Sequence, residues 1–252
     1  VENWLISERC LSDGKHALPG AVRFLKEKKA EGALICVLSD RSVRTNQQMA
    51  EAFQKQKLPI EEADLYTTVM AAIDEIARTD GSKRQASMIG GRGMRDLLER
   101  GGFFLDHDPC DWIFLGSDHN AAYSDYCYAA KLLKQGARLI LTEEQFREPS
   151  QDGSFLIGPA AVSKMLEAAS GTEALHADFP SPMLLYHAMR YLNATAEITV
   201  FAAADARREI PAAEAAGIRS VLVTSAGDEN TDLFDLSSKP DYVVETLEGL
   251  LR

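Results

Sequence analysis

The sequence predicts an α/β protein built on parallel sheets. Short apolar runs alternate with amphipathic stretches along the chain. Residues 33–38 (ALICVL) are apolar throughout, as strands covered on both faces are. A second alternating series begins after the polar turn at 79–82 (TDGS), which marks a domain boundary.

In chain order, residues 4–6 form a short strand. Pro19 and Gly20 open a helix with Val22, Phe24 and Leu25 on its apolar face and a solvated stretch at 26–29. The buried strand at 33–38 leads to a helix at 45–56 and a short strand at 64–67. A further helix runs to the turn at 79–82. The second series reads strand 86–89, helix 94–100, strand 112–115, helix 123–135, strand 138–141 and helix 160–169, and it closes between 171 and 177. The chain then gives helix 182–192, strand 198–202 and helix 210–216 with Gly217 as its stop. Strands at 220–223 and 242–244 precede a terminal helix at 245–251.

The chain of 252 residues is long enough for a sizeable core. Its net charge of −11, with basic residues interspersed among acids, argues against nucleic acid and anionic membranes as main partners. No apolar run approaches the roughly 20 residues of a membrane span. Residues 1–6 carry no basic segment followed by an apolar stretch, so no targeting peptide is expected in the sequence as given. Cys10, Cys36, Cys110 and Cys127 show neither CxxC spacing nor a nearby His, and Cys36 reads as a buried small hydrophobe; a reduced, cytoplasmic compartment follows.

Seven collinear segments, 18–21 (LPGA), 65–68 (LYTT), 90–102 (GGRGMRDLLERGG), 136–138 (GAR), 180–182 (PSP), 215–217 (AAG) and 239–242 (KPDY), together resemble one family. It is the haloacid-dehalogenase-like (HAD) branch that holds NagD-type nucleotide phosphatases, p-nitrophenyl phosphatases and pyridoxal phosphatases. The resemblance covers essentially the whole chain. It implies a HAD-like Rossmannoid parallel-sheet core, residues 1–80 and 178–252, with an inserted α/β cap domain at 81–177. It also implies an active site at the carboxyl ends of the core strands, as the general rule for open α/β sheets requires. The family transfers a phosphoryl group to an aspartate and then to water, with Mg²⁺ neutralising the phosphate.

Measured against that resemblance, the catalytic positions are altered. The DxDG motif falls on 6–10 (ISERC). One register places Ser7 at the nucleophile and Arg9 at the acid/base position; the other places Ile6 and Glu8 there. Neither supplies an aspartate nucleophile, and a serine in its place needs a general base that nothing nearby in the sequence advertises. Ser39 matches the family's phosphate-binding hydroxyl, a residue type that equally caps a turn. Asp40 and Arg41 follow it, the first repelling a phosphate and the second attracting one. Phe179 stands where the family has a lysine, with His176 nearby as a candidate cation. Ala203 and Ala204 replace the Gly-Asp pair whose Asp binds Mg²⁺, and Glu209 takes the second acidic position. Asp205 and Glu209 are the remaining metal candidates, opposed by Arg207 and Arg208.

Loss of one member of a cooperating catalytic set costs on the order of 10⁴ to 10⁶ in rate. The sequence therefore predicts a catalytically degenerate, inactive pseudophosphatase, a binding, regulatory or scaffold protein with no cofactor. Ser39, Asp40, Arg41 and Arg207 would be its ligand-binding set, with Arg9 and Arg208 at the same rim. A small phosphorylated ligand or a protein partner, a second copy included, would be its occupant, with residues 127–133 as a candidate dimer face. The alternative is an Mg²⁺-dependent phosphatase of small phosphomonoesters with rearranged residues, among them Glu8, Ser39, Asp205 and Glu209.

Overall fold

The computed structural model describes residues 2–150, 152–227 and 237–251. The chain forms two compact units. Unit 1 comprises Val1–Ser39, Asn46–Tyr66 and Phe179–Arg252; unit 2 comprises Asp40–Thr45 and Thr67–Asp178.

Unit 1 is a six-stranded sheet flanked by helices. Its strands are β1 (Asn3–Ser7), β2 (Ile35–Ser39), β3 (Leu65–Thr67), β11 (Thr199–Ala203), β12 (Arg219–Val223) and β13 (Tyr242–Val244), in the spatial order β13-β12-β11-β1-β2-β3. The β1–β2, β1–β11, β11–β12 and β12–β13 pairs are all parallel. Helices α1 (Ala21–Ala30), α2 (Asn46–Lys55), α7 (Met183–Tyr191) and α8 (Glu209–Ala216) make the crossovers. The central strands are buried along their whole length, which is why the sequence shows them as apolar runs. Trp4, Ile6, Phe24, Leu25, Val37, Phe53 and Val200 belong to one continuous core.

Strand order reverses between β1 and β11. From β1 the chain moves outward to β2 and β3, and from β11 it moves the other way to β12 and β13. Open α/β sheets bind ligands at such a switch point, outside the carboxyl ends of the strands.

Unit 2 carries a parallel sheet of its own, with β4 (Gln85–Ile89), β5 (Phe104–Leu105), β6 (Trp112–Leu115), β7 (Arg138–Leu141) and β10 (Leu175–His176) in the order β10-β7-β6-β4-β5. Helices α3 (Thr68–Asp80), α4 (Arg92–Arg100), α5 (Tyr123–Lys134) and α6 (Pro159–Ser170) accompany it. The turn at 79–82 is the C-terminal end of α3, which packs against α4 inside this unit. An antiparallel hairpin, β8 (Arg147–Pro149) and β9 (Phe155–Ile157), stands beside the sheet. Ile113, Leu115, Leu132, Leu133, Leu139 and Leu166 share a core.

Two expectations need correction. The terminal helix at 245–251 is a single 3-10 turn, Leu247–Leu250. Only Leu247 of that turn is buried, Gly249 lies inside it, and so short a segment does not repay helix nucleation. Strands β5, β8, β9 and β10, two or three residues each, were not anticipated, because so few residues show no readable period.

Among the described residues, no helix is long and apolar enough to cross a membrane. Cys10, Cys36 and Cys110 are buried thiols and Cys127 is exposed; none forms a disulfide.

Candidate active site

The switch point of unit 1 is built from the ends of β1 and β11 and the start of α8. Successive side chains of a strand face opposite ways. Ile6 therefore points into the apolar core, where Ala204 also lies, and Ser7 points to the other face. Ser7 Oγ donates to Glu209 Oε1 at 2.8 Å, and both residues are buried. Glu209 Oε2 accepts the backbone N–H groups of Ala204 at 2.6 Å and Asp205 at 3.0 Å. One carboxylate thus ties the end of β1 to the loop after β11. Burial pushes the Glu209 carboxyl above the ordinary carboxylate range; the hydrogen bonds from Asp205, Ala204 and Ser7 and the charge of Arg9 oppose that shift without cancelling it.

Around this couple the other sequence-predicted residues take definite places. Glu8 is buried and opens a 3-10 turn (Glu8–Cys10) directly after Ser7. Arg9 is part-exposed, its Nη1 3.7 Å from Asp205 Oδ2. Asp205 Oδ1 accepts the backbone N–H groups of Arg207 and Arg208, a local turn that leads into α8. Phe179 stacks on Phe201 with ring centroids 5.7 Å apart. Its carbonyl accepts Nε and Nη2 of Arg208 at 3.2 and 3.0 Å, so a guanidinium reaches the segment where the family carries lysine. Arg207 is exposed. Ser39 ends β2 and is buried, its Oγ 3.9 Å from Met49 Sδ. Asp40 and Arg41 belong to unit 2, where Asp40 accepts a hydrogen bond from Gln145 Nε2. His176 is also in unit 2 and is held by Glu144 through Nδ1.

Mg²⁺ asks for a near-octahedral shell of oxygens, usually with one or two carboxylates. The residues present do not fit it. A methyl group, Ala204, stands at the family's metal-binding position. Both oxygens of Glu209 are engaged by donors of the chain, and Asp205 is divided between two backbone N–H groups and Arg9. Among the described residues, no group of three or more His, Cys, Asp or Glu side chains is arranged to hold a metal ion.

Sequence reasoning missed the pairing of Ser7 with a base. The partner lies 202 positions away, and only the parallel pairing of Ile6 with Ala202 brings the two strand ends together.

The comparisons with known proteins bear on the same residues. Residues 10–104 match a model described as haloacid dehalogenase-like hydrolase, and residues 179–250 match one described as HAD-hydrolase-like. The chain is 24% identical to the 5'-nucleotidase YutF of Bacillus subtilis (strain 168), covering 93% of this chain and 91% of that protein. It is 26% identical to the ribonucleotide monophosphatase NagD of Escherichia coli (strain K12), covering 90% and 88%. The solved structure of NagD from E. coli K-12 superposes with a TM-score of 0.90 at 23% identity, covering 98% of this chain and 97% of that one. A p-nitrophenyl phosphatase from Archaeoglobus fulgidus gives 0.90 at 22% identity, covering 99% and 97%.

The expectation of a degenerate, inactive pseudophosphatase does not stand. Relatives that match nearly the whole chain are named as a 5'-nucleotidase, a ribonucleotide monophosphatase and a dihydroxyacetone phosphatase. Ser7 and Glu209, 202 positions apart in the chain, come together in space. From the two model matches, the near-full-length relatives and the shared parallel-sheet architecture, the chain belongs to the haloacid-dehalogenase-like hydrolases, in their NagD-like branch.

Proposed function

We propose that the chain hydrolyses small phosphomonoesters with a rearranged catalytic set centred on Ser7 and Glu209. The observation that carries this reading is the buried 2.8 Å hydrogen bond from Ser7 Oγ to Glu209 Oε1 at the switch point of the sheet. A hydroxyl nucleophile needs a base within hydrogen-bond reach, and a carboxyl held above its ordinary range is better matched to neutral pH than a free one.

In the first step Glu209 takes the Ser7 proton while the Oγ–phosphorus bond forms. The bond from phosphorus to the ester oxygen breaks, and the leaving alcohol departs with that proton. In the second step Glu209 takes a proton from water, water attacks the phosphoserine, and Ser7 leaves phosphorus with its proton restored. Arg9, part-exposed and only loosely paired with Asp205, supplies positive charge for the phosphoryl oxygens. Relatives in this family point to nucleoside monophosphates, p-nitrophenyl phosphate, dihydroxyacetone phosphate and sugar phosphates as the compounds to offer.

Release of inorganic phosphate from that panel, with Mg²⁺ and with a chelator, tests the reading. The expected result is turnover of at least one compound that survives chelation. Ser7→Ala and Glu209→Gln should each lower kcat by about 10² or more. A panel without turnover, or turnover that Ser7→Ala leaves intact, overturns it.

A further inference from the structure

Hairpin β8–β9 joins neither of the larger sheets, so among the described residues both of its edges lie open. The two edges are not alike. Arg147 pairs with Ile157, Glu148 with Leu156 and Pro149 with Phe155. Just beyond, the N–H of Gly158 donates to the Phe146 carbonyl at 3.0 Å and the N–H of Ser150 to the Ser154 carbonyl at 3.2 Å. Hydrogen-bonded pairs alternate with unbonded ones along an antiparallel ladder. Residues 146, 148 and 150 therefore bond across the hairpin, while Arg147, Pro149, Phe155 and Ile157 turn their backbone groups outward.

On the β8 edge Pro149 offers no N–H and Arg147 adds a charge, both usual means of blunting an edge. The β9 edge has neither. Phe155, Leu156 and Ile157 are apolar and 57, 37 and 70% exposed. Such an edge is a template for another strand. Its pattern is also self-complementary. When a second copy lies antiparallel about a two-fold axis at Leu156, the N–H and C=O of Phe155 meet those of the second copy's Ile157, and the converse pair forms on the other side. No other antiparallel register engages both residues of both copies. Leu156 then faces its own counterpart at an unbonded position, where side chains lie closest. Each chain carries a net charge of −11, so two copies meet most readily where neither presents a charge.

We propose that the β9 edge is a homodimer contact, in which two hairpins form one four-stranded antiparallel sheet in the order β8–β9–β9–β8. Three residues a side bury well under the roughly 1,200 Å² of a stable interface. The dimer is therefore weak and concentration-dependent, with a Kd on the order of 10–100 μM.

Sedimentation equilibrium of the whole chain, from about 5 to 500 μM, tests this. Amide hydrogen exchange at Phe155 and Ile157 is recorded over the same range. The mass should rise from monomer to dimer, and protection of those two N–H groups should rise with it. Leu156→Lys and Leu156→Glu should each raise the Kd by at least about tenfold, because like charges then meet on the axis. An equimolar mixture of the two variants should associate again, since opposite charges now face each other; a hairpin that had merely unfolded would not recover. A wild type that stays monomeric, a dimer that both variants leave intact, or a mixture no tighter than either variant alone would each overturn the proposal. Protection at Phe155 and Ile157 that does not change with concentration would show that the chain's own residues cover the edge, and would overturn it as well.

Discussion

Glu209 gathers two backbone N–H groups and one hydroxyl onto a single buried carboxylate. Glu209→Ala strands all three donors, each costing about 1–3 kcal/mol when buried without a partner. Partial relaxation and water entry reduce that sum, so a loss of about 3 kcal/mol in denaturant unfolding is expected. Glu209→Gln keeps an acceptor and loses less. Because burial raises this carboxyl, its stabilising effect is present at pH values below the unfolded value and fades as pH rises through the folded one. The stability of wild type minus that of Glu209→Gln should therefore decrease as pH is raised from about 4.5. A difference that stays flat would show that the carboxyl titrates alike in both states. At this scale the sequence was partly legible. It singled out Ser7, Arg9, Ala204, Asp205 and Glu209, because each sits beside a recognisable strand end or turn. It could not show which of them touch, since that depends on strand pairing across some 200 residues.

Among the elements, α4 shows how context reverses an intrinsic preference. Gly93 lies in its first turn, where alanine would favour an isolated helix by about 1 kcal/mol. The closeness of the Arg44 carbonyl oxygen makes the same change a collision with backbone. Gly93→Ala should therefore destabilise unit 2 by about 2 kcal/mol, read as a lower thermal midpoint. An unchanged or higher midpoint would mean that Asp40–Thr45 yields at little cost. Elements with a mostly apolar run were readable to within a residue or two: residues 112–115, 138–141 and 242–244 are β6, β7 and β13 as expected. Those that exist only because a neighbour offers an edge, such as β5 and β10, left no pattern of their own. The unreadable part is the part made by tertiary contact.

For the molecule as a whole, each unit has its own buried tryptophan, Trp4 in unit 1 and Trp112 in unit 2, and the sequence contains no others. In a Trp4→Phe background, fluorescence reports unit 2, and in a Trp112→Phe background it reports unit 1. Adding Gly93→Ala should lower the denaturant midpoint in the first background and leave the second unchanged within error. Equal shifts in both would show that the two cores unfold as one cooperative body.

The hexapeptide Asp40–Thr45 also sets the terms on which this architecture can be recombined. It leaves unit 1 after Ser39, satisfies the helix start at Gly93 and Met94, and returns to unit 1 at Asn46. A chimera that transplants only residues 67–178 would carry a domain whose first-turn donors have lost their acceptors, and would leave an orphaned loop in the recipient. The exchangeable module is therefore discontinuous, two stretches of sequence that must be inherited or grafted together.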